Sequence, residues 1–225
     1  MEGRENLSVR NKSKSKSKKA GFLMFFLPFL LAGIFLYVMN DYDIGQEIAS
    51  SLRTEKEPKL STNVLDYEEE VRSYAAKEGI EPYTEVILAV MMQESGGRGN
   101  DPMQASESLC GEVGCITEPK RSIEQGVSYF GDVLERADYD VKLALQSYNF
   151  GPGFIEFVME RGGEYTQELA IEFSAQKYDE LRDTGIYSCI REEAEQYGAC
   201  YGDIYYVDAV LGYVEESDYK AVTNM

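Results

Sequence analysis

Apolar positions recur at helical spacing through most of the chain, and strand-like alternation is scarce. Val64, Tyr67, Val71 and Tyr74 share one face of a helix with Asn63 as its N-cap and Gly79 as its end. Pro82 opens the next helix at its first turn. Ser122 and Gln125 stand at capping-box spacing ahead of Ile123, Val127, Phe130 and Leu134. Further helical patterns cover 140–149, 152–161, 165–182 and 203–215. Asp203 is the expected cap of the last, and Ile204, Val207, Val210, Leu211 and Val214 form its stripe. The sequence has no internal repeat. The predicted fold is mainly α.

One apolar run stands apart. Residues 21–39, GFLMFFLPFLLAGIFLYVM, carry no charge and are long enough to span a bilayer as a helix, with Pro28 as a kink point. The low-complexity basic stretch NKSKSKSKKA precedes it, which places the N-terminus in the cytoplasm and the bulk of the chain outside. A cleaved signal peptide is the rival reading. The run is long for a signal core, and no small-x-small site follows Met39. The expected organisation is a cytoplasmic basic tail over 1–20, a single-pass membrane anchor over 21–39, a polar stalk over 40–61 and a folded domain over 62–225.

Charge sharpens this division. Residues 1–39 carry +5, from seven cations and two acids, so the rest carries −23 of a total of −18. A nucleic-acid binder needs the opposite sign on its folded part, so nucleic acid is excluded as a partner. Histidine is absent. That removes Ser-His-Asp and Cys-His nucleophiles and the commonest zinc ligand. The four Cys are poorly spaced for a metal, so neither metal nor cofactor is expected. Thiols outside a membrane tend to pair. Of three connectivities, the local pairs Cys110–Cys115 and Cys189–Cys200 are favoured, because each pins a loop between helices.

Catalysis must therefore rest on carboxylates, hydroxyls or amides. On a helical wheel of ~100° per residue, Tyr83, Ile87, Val90 and Met91 fall within roughly 60° of Glu94, and Glu85 lies opposite. Apolar neighbours and a helix C-terminus both oppose ionisation, so the Glu94 pKa is expected to rise. A carboxyl that keeps its proton near neutrality suits protonation of a glycosidic oxygen. The bland alternative is a half-exposed, inert acid in a last helical turn. Against it stand the glycine-rich loop GGRGND, the polar segment PMQASES and the later QSYNFGPGF, all rich in groups that bond to hydroxyls.

These pieces, in this order, resemble the goose-type lysozyme and soluble lytic transglycosylase superfamily. The longer set MMQESGG, MQASES, SIEQGVSYF, YNFGPGF and YGDIYYVDAVLGYV is similar to the membrane-anchored lysozyme-like proteins of Gram-positive bacteria. That group includes the muramidase domain of two-domain wall hydrolases and pneumococcal vaccine antigen A. The resemblance covers about residues 63–215. It implies Glu94 as catalytic acid, and Gln104 of the MQ motif and the Tyr148–Asn149 pair as sugar-groove residues. Ser106 and Glu107 join them as substrate-binding candidates, and peptidoglycan glycan strands are the implied partner. Cys110 and Cys115 sit in a loop where the family has no expected cysteines.

A retaining enzyme needs a second carboxylate about 5 Å from the acid, and an inverting one needs it about 6.5–9.5 Å away. Asp101 is the nearest acid in the loop and Glu107 the next; the competing role for Asp101 is a turn residue before Pro102. With neither acid active, the substrate's N-acetyl group or 6-hydroxyl must act, the latter giving a 1,6-anhydro product. Three readings follow: a muramidase cutting the MurNAc–GlcNAc β-1,4 bond, a lytic transglycosylase on that bond, or a non-catalytic wall-binding protein. Partners in wall synthesis or secretion are not specified by the sequence. The acidic domain would be repelled by anionic wall polymers, so the anchor is expected to set where the protein acts.

Overall fold

The computed structural model describes residues 59–224, and these contain helices and turns but no strand. The helices are α1 (Thr62–Leu65), α2 (Glu68–Lys77), α3 (Thr84–Glu94), α4 (Ser106–Cys110), α5 (Pro119–Arg136) and α6 (Val141–Phe150). They continue with α7 (Gly153–Met159), α8 (Gln167–Leu181), α9 (Glu192–Glu195), α10 (Tyr206–Tyr213) and α11 (Glu216–Thr223). The mainly α expectation holds, while the short α4, α9 and α11 were not legible as periodic stretches.

Helix α3 is the centre of the fold. Thr84 and every residue from Val86 to Met91 are buried, while Glu85 is half-exposed and paired with Arg72 at 3.4 Å. The wheel assigned α3 one apolar face; instead α1, α2 and α10 all pack on it. Burial of Thr84 and of Val86 to Met91, with Glu85 left at the surface, suits its near-continuous apolar run. Helix α6 packs in turn on α5, α7 and α10. Phe150, Phe154 and Phe173 join α6, α7 and α8, with ring centroids 5.2–5.5 Å apart.

Three helix starts differ from expectation, each for a hydrogen-bonding reason. Ser61, rather than Asn63, caps the first helix, its Oγ accepting from the Val64 N–H. The Ser61 hydroxyl also donates to the Gly96 carbonyl at 2.9 Å, which ties the domain's entry to the end of α3. The expected helix is broken after Leu65 and resumes at Glu68. Helix α5 begins at Pro119, one turn before the Ser122–Gln125 pair, because proline suits a first turn that needs no N–H. Ser122 is then interior and buried. Asp203 precedes α10 rather than capping it, and its carboxylate is paired with Arg191.

Residues 59–61, the end of the expected stalk, belong to the domain. Lys59 donates to the Val214 carbonyl at 2.6 Å, and Leu60 packs against the core. The tail, the apolar run of 21–39 and the remaining stalk lie outside the described residues. Among the described residues, no helix is long and apolar enough to cross a membrane. Both local cysteine pairs form: Cys110 with Cys115, and Cys189 with Cys200.

Candidate active site

Glu94 closes α3, and the chain must reverse at once. Ser95 holds the reversal: its hydroxyl donates to the Pro102 carbonyl at 2.8 Å and accepts from the N–H groups of Gly97 and Arg98. Gly97 has φ +76°, and a Cβ there would stand 2.8 Å from the Asn63 backbone. Only glycine meets both demands.

Glu94 is half-buried, and its Oε1 accepts a 2.6 Å hydrogen bond from the hydroxyl of Tyr206, a buried residue of α10. Burial pushes the Glu94 carboxyl up to about 7. The Tyr206 hydrogen bond acts in the opposite direction, and the charges of Asp101 and Asp203 push the same way as burial. Tyr206 sits within an apolar stripe in the sequence, where a phenol reads as packing, so sequence reasoning missed it.

Asp101 does not face outward. Its Oδ1 accepts from the Ala105 N–H at 2.9 Å and from Ser122 Oγ at 2.6 Å. Its Oδ2 accepts from the Ser106 N–H at 3.0 Å and from Ser106 Oγ at 2.5 Å. Burial alone would raise its pKa, but these bonds from Ser106, Ser122 and Ala105 outweigh it and hold the carboxyl below its usual range. These bonds stake the loop to α5. Ser106 also departs from its expected place. It is buried, and its hydroxyl donates to Asp101 and accepts from the Ile116 N–H, so both of these bonds serve the loop itself.

The MQ segment is clamped from two helices. Met103 is fully buried, its N–H donates to Ser122 Oγ, and its carbonyl accepts from the Tyr148 hydroxyl at 2.8 Å. Gly126 of α5 makes room: a Cβ there would lie 2.5 Å from the Met103 Cβ. This clamp turns Gln104 outward with a left-handed backbone, φ 49°.

Gln104, Glu107, Tyr148 and Asn149 line one groove of ≈ 410 Å³, joined by Tyr129 and Tyr201, which sequence reasoning missed. The Tyr129 and Tyr148 rings are 5.2 Å apart. Glu94 does not itself form this groove's wall. It stands close enough to Tyr148 for its charge to add to burial in holding the phenol well above the usual tyrosine range. The Cys110–Cys115 disulfide closes the loop that follows α4, the helix that carries Glu107.

A second clamp holds the far wall. Asn149 Oδ1 accepts from the Asp203 N–H at 2.8 Å, and Gln146 Nε2 donates to the Asp203 carbonyl at 2.9 Å. Arg191 grips the Asp203 carboxylate with Nε at 2.8 and 2.9 Å and Nη2 at 2.8 Å. Gly202, at φ +64°, lies so near Asn149 and Phe150 that a Cβ would come within 2.6–2.8 Å of their side chains. The Cys189–Cys200 bridge flanks Arg191 on one side and leads into Gly202 and Asp203 on the other. Among the described residues no group of His, Cys, Asp or Glu could hold a metal ion.

An acid with a raised pKa at the end of a central helix, beside a tyrosine- and amide-lined groove, fits the comparisons with known proteins. Residues 61–214 match the lysozyme-like family. The chain belongs to that family. It is 37% identical over 201 residues to the bifunctional muramidase/DL-endopeptidase CwlT of Bacillus subtilis, covering 88% of this chain and 56% of that protein. It is 34% identical over 206 residues to the uncharacterized membrane protein YocA of the same organism, covering 90% and 89%. Pneumococcal vaccine antigen A of Streptococcus pneumoniae matches at 33% identity over 114 residues, 49% of this chain and 56% of that one. Among solved structures, an NLP/P60-family lipoprotein of Staphylococcus aureus superposes with TM-score 0.60 at 35% identity, over 70% of this chain and 54% of that one. The chain thus spans little more than half the length of several relatives, CwlT included. The expected resemblance to lysozyme-like wall hydrolases holds.

Proposed function

We propose that this chain is a muramidase that cleaves the β-1,4 bond between MurNAc and GlcNAc in peptidoglycan, with Glu94 as general acid. The observation that carries the reading is the Glu94 carboxyl, held up to about 7 by burial and steadied by the Tyr206 hydroxyl. Such a group is protonated in a large fraction of molecules at neutral pH, so it can deliver a proton to the leaving oxygen as the bond breaks. Gln104, Glu107, Tyr148 and Asn149 supply the amide, carboxylate and aromatic surfaces for a glycan strand. The relative CwlT, named a muramidase/DL-endopeptidase, supports the same chemistry.

One observation favours a second reading, a lytic transglycosylase. The two acids whose charge reaches Glu94 are Asp101 and Asp203, and both are spent on structural bonds. With those two acids committed, the oxocarbenium-like centre is met by the substrate's own groups or by water. Attack by the 6-hydroxyl gives a 1,6-anhydro end. Glu107, on the groove wall, is the remaining carboxylate able to activate a water.

The apolar run of 21–39 is proposed as the membrane anchor, in keeping with the membrane protein YocA, with the catalytic domain on the outer face. The test is digestion of purified peptidoglycan by the full-length chain and by Glu94→Gln, with the released ends identified by mass spectrometry. Reducing MurNAc ends, and a loss of at least about 100-fold in the variant, are expected. Anhydro ends would select the second reading, and full activity in the variant would overturn the acid assignment.

A further inference from the structure

Three residues among those described hold a left-handed backbone without being glycine: Gln104 at φ 49°, Asp138 at φ 51° and Tyr139 at φ 64°. Strained positions of this kind persist only where surrounding structure insists on them, and they cluster at ligand sites. Gln104 lines the groove described above. Asp138 and Tyr139 line a different cavity, of ≈ 580 Å³, larger than the groove. A glycine at either position would relieve the strain. The chain instead keeps a carboxylate and a phenol there.

The rest of this cavity is chemically consistent. Tyr83 is only 4% exposed and lines the cavity. Tyr219 of α11 supplies a third phenol, and none of the three hydroxyls has a hydrogen-bond partner among the described residues. Two carboxylates join them. Asp140 spends its Oδ1 on the N–H groups of Lys142 and Leu143 at the start of α6, and neither Asp138 nor Asp140 has an ion-pair partner among the described residues. No Lys or Arg lines the cavity, while Pro82, Val141 and Val222 give it an apolar side. The wall from α11 lies beyond residues 61–214, the stretch that matches the lysozyme-like family.

We propose that this cavity is a second binding site, for a primary ammonium group carried on an aliphatic stem. The ammonium is met by the carboxylates of Asp138 and Asp140 and by the phenols, whose faces and hydroxyl oxygens both attract cations. The stem lies along Pro82, Val141 and Val222. An anionic ligand is repelled, since nothing there offsets the two negative charges. The volume falls within the ~300–1,000 Å³ of ordinary ligand pockets, so it accepts more than a bare ammonium ion. A free diamine and a lysine-type side chain in a peptide carry the same chemistry.

The test is calorimetric titration of the full-length chain in neutral detergent with 1,5-diaminopentane and, separately, with Nα-acetyl-lysine amide. Saturable binding is expected, and the tighter of the two probes identifies the source as free amine or peptide. Tyr139→Gly and Asp138→Asn should each weaken it at least tenfold. Tyr139→Gly should melt no lower than wild type, since glycine tolerates that φ. Failure of both probes to bind, undiminished binding in both variants, or loss in Tyr139→Gly of binding to a neutral chitotriose probe would overturn the proposal. Glu94→Gln should bind the amine as wild type does, so this outcome is read separately from the assignment of the acid.

Discussion

Holding Glu94 in a poorly solvated place costs stability once it ionises, and the structure sets the size of the cost. Its folded pKa of about 7 lies above the ordinary glutamate value of 4.5. The native state therefore binds the proton more tightly than the unfolded chain. Stability linked to this group is fully present below pH 4.5 and is lost as pH rises to and beyond 7. A gap of roughly 2.5 pH units corresponds to about 3 kcal/mol. Glu94→Gln removes the titration while keeping an acceptor for the Tyr206 hydroxyl. The variant should gain about 3 kcal/mol relative to wild type between pH 4 and pH 8, or about 6–12 °C in melting temperature for a domain of this size. Thermal melts of both proteins at the two pH values measure it. A wild-type-to-variant difference that is the same at pH 4 and pH 8 would refute the claim that burial holds the proton on Glu94.

Two further outcomes follow from the same geometry. Tyr206→Phe deletes the one hydrogen bond that favours the ionised carboxylate, so Glu94 should hold its proton more tightly; the alkaline limb of kcat/KM should move up by about 1 pH unit, and a limb that stays put would show that another group sets it. Asp101→Asn turns two of four acceptor positions into donors facing donors, costing about 3 kcal/mol and lowering the melting temperature by about 6–12 °C. Turnover measured below the melting transition should stay within about tenfold of wild type, whereas a loss beyond a thousandfold with an unchanged melting temperature would return Asp101 to the chemistry.

Much of the site was legible because it is written in local sequence. Glu94 followed by Ser95 and two glycines announces a helix end that must turn sharply, and Gln104, Tyr148 and Asn149 lie in compact motifs. Asp101 and Ser106 show the limit. In a linear string each is a polar residue in a polar loop, free to face a ligand. In the fold they face each other and Ser122, because the buried backbone of the loop needs acceptors and the nearest carboxylate supplies them. Tyr206 shows the converse. Its hydroxyl lies within an apolar stripe and looks like core until α10 packs on α3 and brings it to Glu94. Arg191 and Asp203 are twelve residues apart in a region without periodicity, so no pattern relates them before the Cys189–Cys200 loop folds.

Local spacing, then, determined by itself that the domain is helical and that an acid ends an apolar helix without any imidazole to help it, and it favoured cysteine pairs that close two short loops. Those features depend on neighbours a few residues away, where helical period and turn chemistry act. Tertiary structure alone decided that three helices pack on α3 and that Tyr206, 112 residues on, donates to Glu94. It also turned Asp101 inward and placed Asp138, Tyr139 and Tyr219 of α11 around one cavity. The physical reason is that a carboxyl's proton affinity depends on the water and charges that surround it in three dimensions, and those come from helices far apart in the chain.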